Sequence, residues 1–476
     1  MRQRRAVSTR AATGCAGFCG AAAAPMPRPR FLRRRGSSLP VAVAPPAGRT
    51  VSVALVAAAA LLWPAAASAA QAVSPAPTVL NVPVDFVLFG LTLLGVALFH
   101  HRTLEVALTG LAVIALYKIA FTGFHEGSGP LGLLVHLQHE WVILANLLCL
   151  LLGFALLSHH FEVSGVPAML PRYLPDDWTG AFLMLVIVFV LSAFLDNIAA
   201  ALIGGAMAHT LFRGRVHIGF LAAIVAASNA GGSGSVVGDT TTTMMWISGV
   251  SPARVLPAYA AAVAALIVLG IPAAFLQQKH SPIVKDPSPG TRVDWGRVAV
   301  VAAVLVAAIT TNVTVNLRFP QAADRFPFIG AAVALALLVT ASVRKPAWTV
   351  LPGALRGAVF LLALVTCASM MPVETLPSAS WQTAFGLGAV SAVFDNIPLT
   401  ALAINQGGYD WGMLAFTVGY GGSMVWFGSS AGVAISNMYP EAKSVGAWVT
   451  AGWYVAAAYV IGFFVMLFTV GWNPGG

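Results

Sequence analysis

The sequence predicts an all-α polytopic membrane protein made of two inverted repeats, each of about five transmembrane helices plus one re-entrant hairpin, with two discontinuous helices. Three observations predict it. The chain is 58% hydrophobic and 9% charged, with a mean hydropathy of +0.83, where soluble domains carry roughly 25% charged residues. The phrase Ser192-Ala193-Phe194-Leu195-Asp196-Asn197-Ile198 recurs as Ser391-Ala392-Val393-Phe394-Asp395-Asn396-Ile397. Each copy is followed by a glycine phrase: Gly231-Gly232-Ser233, four residues, then Gly238-Asp239-Thr240 in the first half, and Gly421-Gly422-Ser423, four residues, then Gly428-Ser429-Ser430 in the second.

Residues 1–70 form a leader. Ten arginines, Arg2 to Arg49, precede the first acid, Asp85, and beyond them basic and acidic residues balance. The surplus of 26 Lys and Arg over 16 Asp and Glu therefore belongs to the leader, and the body gives no support to a nucleic-acid partner. The apolar run from Val51 to Leu62 and the small residues Ala65 to Ala70 describe a cleaved secretory signal with a long front. A plastid or other organellar transit sequence, or a start codon set too far upstream, would account for that length. Of four cysteines, Cys15 and Cys19 lie in the leader, while Cys149 and Cys367 stand singly in apolar runs, so no disulfide or metal framework is expected.

From Val82 onward, apolar runs near the 20 residues that cross hydrocarbon fall at about 83–100, 104–121, 139–158, 218–250 and 255–276, then 297–316, 327–343, 357–373, 411–437 and 447–470. The Asp-Asn stretches, about 180–211 and 381–407, break their own pattern with a carboxylate and read as hairpins that enter and leave on one side. Five crossings and a hairpin make an odd number, so the first repeat (83–276) and the second (297–470) run in opposite senses. The Pro- and Gly-bearing linker 277–296 is taken as cytoplasmic. It then shares its side with Arg102, Arg172, Arg213, Arg215, Arg344, Lys345, Arg356 and Lys443, leaving Arg254, Arg318 and Arg325 outside, as the positive-inside bias asks.

The glycine phrases lie inside crossings, where each Gly costs roughly 1 kcal/mol of helix stability against Ala. Unwinding at membrane depth is tolerated only where protein or a wet cavity satisfies the freed backbone. Two hairpin tips meeting two broken helices would gather Asp196, Asn197, Ser233, Asp239, Thr240, Thr241, Asp395, Asn396, Ser423 and Ser429 around one midplane site. That set holds three acids and no Lys or Arg, so a cation is favoured. Asp196, Asp395 and Asp239 suit Na⁺, a hard ion that takes carboxylate, carbonyl and hydroxyl oxygens. The same oxygens can bind protons, and competition between the two ions would couple their fluxes. The bland alternatives are specific. An Asp at a helix start is often an N-cap. The run Thr240 to Thr243 can bond its own helix carbonyls. Lys118, His159 and His160 near crossing ends can reach toward water.

SAFLDNIAAALIGG (192–205), GGSGSVVGDTTTTMMW (231–246), Ser391 to Leu402 and GGSMVWFGSSAG (421–432) resemble the ion transporter superfamily, most closely its NhaD-type sodium/proton antiporter branch. The resemblance covers about residues 85–470. It implies Na⁺/H⁺ exchange in a multi-pass bacterial inner membrane, with a plastid or other organelle membrane as the alternative. It also implies a scaffold and a moving transport part, a homodimer, and ion-binding roles for Asp196, Asn197, Asp239, Thr240, Asp395 and Asn396. The first Asp-Asn-Ile is followed by Ala199 where the second has Pro398, a departure that bears on ion selectivity. Sister branches carry citrate and other dicarboxylates, so sodium- or proton-coupled uptake of a small carboxylate is the alternative function. An intramembrane hydrolase could also bury paired aspartates, but duplicated, glycine-flanked acids do not form one asymmetric catalytic cluster, and neither an enzyme nor a cofactor is expected.

Overall fold

The computed structural model describes residues 77–475, except 81, 100, 101, 285–291 and 324; the side chains of 316, 317 and 320 are likewise left aside. The leader 1–70, with its signal or transit segment, lies outside the described residues. After a two-stranded turn at Thr78–Val79 and Val82–Pro83, the chain is helical. The first half contains α1 (Val84–Leu98), α2 (Thr103–Tyr117), α3 (Gly129–Glu162), α4 (Trp178–Ser192), α5 (Asn197–Leu211), α6 (Ile218–Ser233), α7 (Thr240–Ile247) and α8 (Ala258–His280). The second contains α9 (Trp295–Arg318), α10 (Phe328–Thr340), α11 (Leu351–Ser369), α12 (Trp381–Ser391), α13 (Asn396–Gln406), α14 (Trp411–Gly421), α15 (Ser430–Met438), α16 (Val445–Ala451) and α17 (Trp453–Thr469).

Among the described residues, five helical stretches are long and apolar enough to cross a membrane: Thr103–Thr122, Gly129–Tyr173, Pro252–His280, Trp295–Val315 and Trp348–Ser369. Counting α16 and α17, bent by 60° at Gly452, makes six. The chain is a multi-pass membrane protein. The expected crossings at 218–250 and 411–437 are each two helices parted at the glycine phrase, and α1 and α10 are apolar but short. The helix expected at 139–158 is longer, since α3 starts at Gly129 with Pro130 in its first turn, where a missing N–H costs nothing.

The breaks at the Asp-Asn phrases are short, so α4 and α5 form one helix pair and α12 and α13 another. Asp177 starts α4 by accepting from the Thr179 amide (2.9 Å), and a capping box between Ser380 and Thr383 starts α12. The outer ends of the first pair meet the far end of α8: Gln278 Nε2 donates to the Asp176 carbonyl (3.1 Å), Gln277 Nε2 to that of Arg215 (3.2 Å), and the Val284 amide to that of Leu211 (2.9 Å). The outer ends of the second pair meet each other, Gln406 Nε2 donating to the Pro377 carbonyl (2.7 Å). Asp410, just beyond that pair, lines a cavity with Arg254 and Pro257 at the beginning of α8.

The glycines let backbones touch. A Cβ on Gly231 would collide with the Phe189 carbonyl of α4, and one on Gly421 with the Gly388 carbonyl of α12. The same contact therefore joins hairpin to broken helix in both halves. Gly421→Ala is expected to destabilise the protein by about 1–3 kcal/mol, the range for overpacking a filled interior, read as an earlier thermal unfolding of purified protein. Unchanged unfolding would mean that the α12–α14 backbones separate freely.

Two apolar cores result. The larger unites α3–α10 with α12–α17; the smaller unites α1, α2 and α11 with Leu147 of α3, Ile397, Ala401 and Leu402 of α13 and Met244 of α7. Charge satisfaction sets the ends of the smaller one. Lys118 does not reach toward water as expected of a crossing end. It is 6% exposed in a π turn at Lys118–Thr122, donates to the Met370 carbonyl (2.7 Å) and lies 3.6 Å from Asp85, which is 1% exposed. His160 is also buried, against Arg297 (3.2 Å), whereas the half-exposed His159 faces Glu162 (3.9 Å). Beside Arg297, the hydrogen bond from Arg344 (2.9 Å) holds the Asp294 carboxyl below the ordinary carboxylate range.

Candidate functional site

The site lies where the two cores face each other. Asp196, Asp239 and Asp395 each occupy the residue before a helix, α5, α7 and α13 respectively. Only Asp395 acts as a cap, accepting from the Ile397 amide (3.1 Å). Asp196 and Asp239 make no such capping hydrogen bond, although the amides that follow each of them face its carboxylate. A carboxylate at membrane depth that does not cap needs another partner.

One hydrogen-bond chain crosses the site. Asn197 Nδ2 donates to Asp239 Oδ1 (2.8 Å) and to Asn229 Oδ1 (3.0 Å). Asn229 Nδ2 in turn donates to Ser423 Oγ (2.9 Å) and Ser429 Oγ (3.2 Å). Hairpin one, both arms of the second broken helix and α6 are thereby fixed to one another. The other hairpin reaches across in the same way, Asn396 Nδ2 donating to Thr241 Oγ1 of α7 (2.9 Å). Packing follows this exchange: α5 lies on α15, α13 on α7, and α6 on α14.

The second oxygen of Asp239, Oδ2, is buried and has no hydrogen-bond partner among the described residues. A Cβ on Gly419 would stand 3.0 Å from it. Gly419 occupies, in its own glycine phrase, the position that Asn229 occupies in the first. The halves thus differ in a complementary manner: Asn229 meets the hydroxyl of Ser429, and the bare backbone of Gly419 leaves room for the carboxylate of Asp239.

Two neighbouring cavities open from these residues. One, of about 180 Å³, is lined by Asp196, Asp239, Thr240 and Ser430 together with apolar side chains of α3 and α11. The other, of about 190 Å³, is lined by Asp395 and again Ser430, with Phe360 and residues of α1. Ser430, whose hydroxyl stands 3.4 Å from Asp395 Oδ2, lines both. Neither lining includes Lys or Arg. Among the described residues, no three His, Cys, Asp or Glu side chains stand close enough to share one metal ion. The aspartates are therefore divided, Asp196 and Asp239 on one cavity and Asp395 on the next.

Of the residues expected at the site, Asp196, Asn197, Asp239, Thr240, Thr241, Asp395, Asn396, Ser423 and Ser429 line these cavities or belong to the hydrogen-bonded chain. Ser233 does not: its hydroxyl bonds the Ala230 carbonyl of its own helix (2.8 Å). Thr242 and Thr243 bond the Asp239 carbonyl and also the carbonyls of Ser235 and Val236 within the break, so the threonine run closes it. Sequence reasoning missed Asn229 and Ser430. Asn229 had a signal, an amide two residues before a glycine pair in an apolar run; Ser430 had only its place after Ser429.

No protein-family model matches the chain. Over 302 residues it is 28% identical to sodium/proton antiporter 1 of Arabidopsis thaliana, covering 53% of this chain and 49% of that protein. Over 300 residues it is 26% identical to sodium/proton antiporter 2 of the same plant, covering 52% and 67%. Over 312 residues it is 27% identical to the Na(+)/H(+) antiporter NhaD of Vibrio parahaemolyticus, covering 54% and 72%. The match thus spans about half the length of the first of these relatives.

Proposed function

We propose that this chain, a relative of the NhaD-type sodium/proton antiporters, exchanges Na⁺ for H⁺ across a membrane, with the bacterial inner membrane as its place. The carrying observation is Asp239: a buried carboxylate with one unpartnered oxygen, on the same cavity as Asp196, in a lining without Lys or Arg. Na⁺ is cargo here, and no cofactor or catalytic residue is invoked. Carboxylate oxygens with the hydroxyls of Thr240 and Ser430 suit a hard, oxygen-seeking ion. A proton on the same carboxylates displaces it, which links the two fluxes. Asp395, held by the Ile397 amide and near Ser430, supplies the corresponding oxygens from the other hairpin.

The architecture supporting this function is an inverted pair, 83–276 and 297–470, joined by 277–296. It is supported by α8, whose far end meets the outer ends of the first hairpin and whose beginning borders Asp410 beyond the second. Both hairpins are re-entrant in this reading. Cysteine-accessibility mapping should then find 213–217 on the linker's side and 407–410 on the other. A second copy of the chain is the further partner proposed, to be checked by light scattering.

The decisive measurement is transport by proteoliposomes carrying an internal pH dye, with Na⁺, Li⁺, K⁺ and citrate added in turn. Proton movement on adding Na⁺ alone is expected. Silence to every cation, with labelled citrate accumulating, would replace exchange by carboxylate uptake, which the base-free lining disfavours. In the same assay Asp395→Asn is expected to abolish exchange with insertion intact; near-normal exchange would remove Asp395 from the site.

A further inference from the structure

We propose that Trp448 is a positioning residue for the ion site, acting through Ser423. Trp448 lies on α16, is 1% exposed, and its indole N–H donates to the Ser423 carbonyl (3.2 Å). That carbonyl is freed by the second break. The Ser423 amide turns back to Tyr420 (2.8 Å) and the Gly428 amide goes to Val425 (3.0 Å), while no backbone amide donates to the Ser423 oxygen among the described residues. A buried carbonyl without a donor is costly, and more so at membrane depth. The indole supplies the donor from outside the broken helix.

The hydroxyl of the same serine accepts from Asn229, which also holds Asn197 and, through it, Asp239. Trp448 therefore fixes one end of a chain whose other end is the Asp239 carboxylate with its one unpartnered oxygen. Its support extends to the neighbouring helices: α16 packs on α6, and Gly452 at the α16–α17 bend lies against Ala222 of α6. The first half has a similar device. Tyr259 of α8 donates to the Gly231 carbonyl (3.3 Å), whose helical partner amide, that of Ser235, is turned to Gly232 instead. In each half, a helix that follows the broken one, α8 or α16, thus lends it an aromatic donor.

The role rests on the exchange reading only for its transport readout. Trp448→Phe keeps the ring and removes the donor, and Trp453→Phe, on the exposed next turn, is the control. By hydrogen–deuterium exchange of the full chain in nanodiscs, Trp448→Phe is expected to speed exchange of 421–432 about fivefold, as loss of one net hydrogen bond implies, with little change at 233–240. In proteoliposomes, half-saturating Na⁺ should rise by a similar factor at a maximal rate near wild type. Unchanged exchange at 421–432, or an equal rise throughout the chain, would overturn the proposal. A lowered maximal rate with unaltered half-saturation would overturn it too. Should the wild type move no protons with Na⁺, the exchange reading fails, and the deuterium result still decides the role of Trp448.

Discussion

Asp239→Asn is expected to lower Na⁺-driven proton movement by roughly 100-fold or more, the scale on which an uncompensated change at a buried charge is felt. The protein should still insert and purify as the wild type does. The substitution separates charge from shape. Its carbonyl oxygen can keep the bond from Asn197, so the chain through Asn229 to Ser423 and Ser429 survives. What changes is the second position, where an NH₂ group replaces the unpartnered Oδ2 beside Gly419. A donor there repels a cation, and the amide cannot exchange a proton at neutral pH. The check is the pH-dye assay in proteoliposomes, with size-exclusion profile and yield as controls for folding. Near-normal exchange would mean that the ion is held elsewhere, and the cavity shared with Asp196 would lose its role. Asp239 carries this prediction ahead of Asp395 because Asp395 also caps α13, so its replacement touches the helix start as well.

The helix breaks and the aspartates beside them were legible because glycine and carboxylate are rare and expensive in apolar runs. Their repetition removed most of the ambiguity that a single Asp-Asn leaves. What the sequence could not convey is how the halves interlock. Asn197 pairs with Asp239 within its own half, but Asn396 crosses to Thr241, and Asn229 crosses to Ser423 and Ser429. Such partners are set by three-dimensional packing of α6 on α14, which no local pattern encodes. Ser233 illustrates the reverse error: it matches Ser423 in its phrase, yet bonds its own helix, since Asn229 lies on that same helix and reaches outward. The gathering of three acids on one ion was inferred from type alone, whereas Asp196 and Asp239 line one cavity and Asp395 the next, with Ser430, a residue with no distinguishing sequence signal, on both.

Lys118 was the other polar residue whose place the sequence concealed, and its replacement carries the largest expected effect on stability. Lys118→Met should destabilise the protein by about 3–5 kcal/mol, the cost of removing one partner from a buried ion pair. Asp85 would then remain 1% exposed with Thr122 (3.2 Å) as its hydrogen-bond donor, and the Met370 carbonyl at the end of α11 would lose its only side-chain donor among the described residues. The positions are electrically favourable as they stand. Asp85 lies in the first turn of α1, and the ammonium lies at the C-terminal end of α11, where the helix dipoles prefer those signs. The pair itself need not be stabilising, because both ions are stripped of water to form it. Asp85→Asn combined with Lys118→Met should therefore recover most of the loss, and thermal unfolding of the single and double variants in the same detergent measures both. A single variant that unfolds with the wild type would show that Asp85 does not depend on Lys118 as its partner. Recovery in the double variant would assign the loss to the stranded carboxylate. The consequence reaches the site through α11, whose Ala354, Gly357, Ala358 and Leu361 form one wall of the cavity that holds Asp196 and Asp239. Loosening its end at Met370 should thus raise half-saturating Na⁺ in the single and the double variant alike, since neither keeps the Lys118 donor.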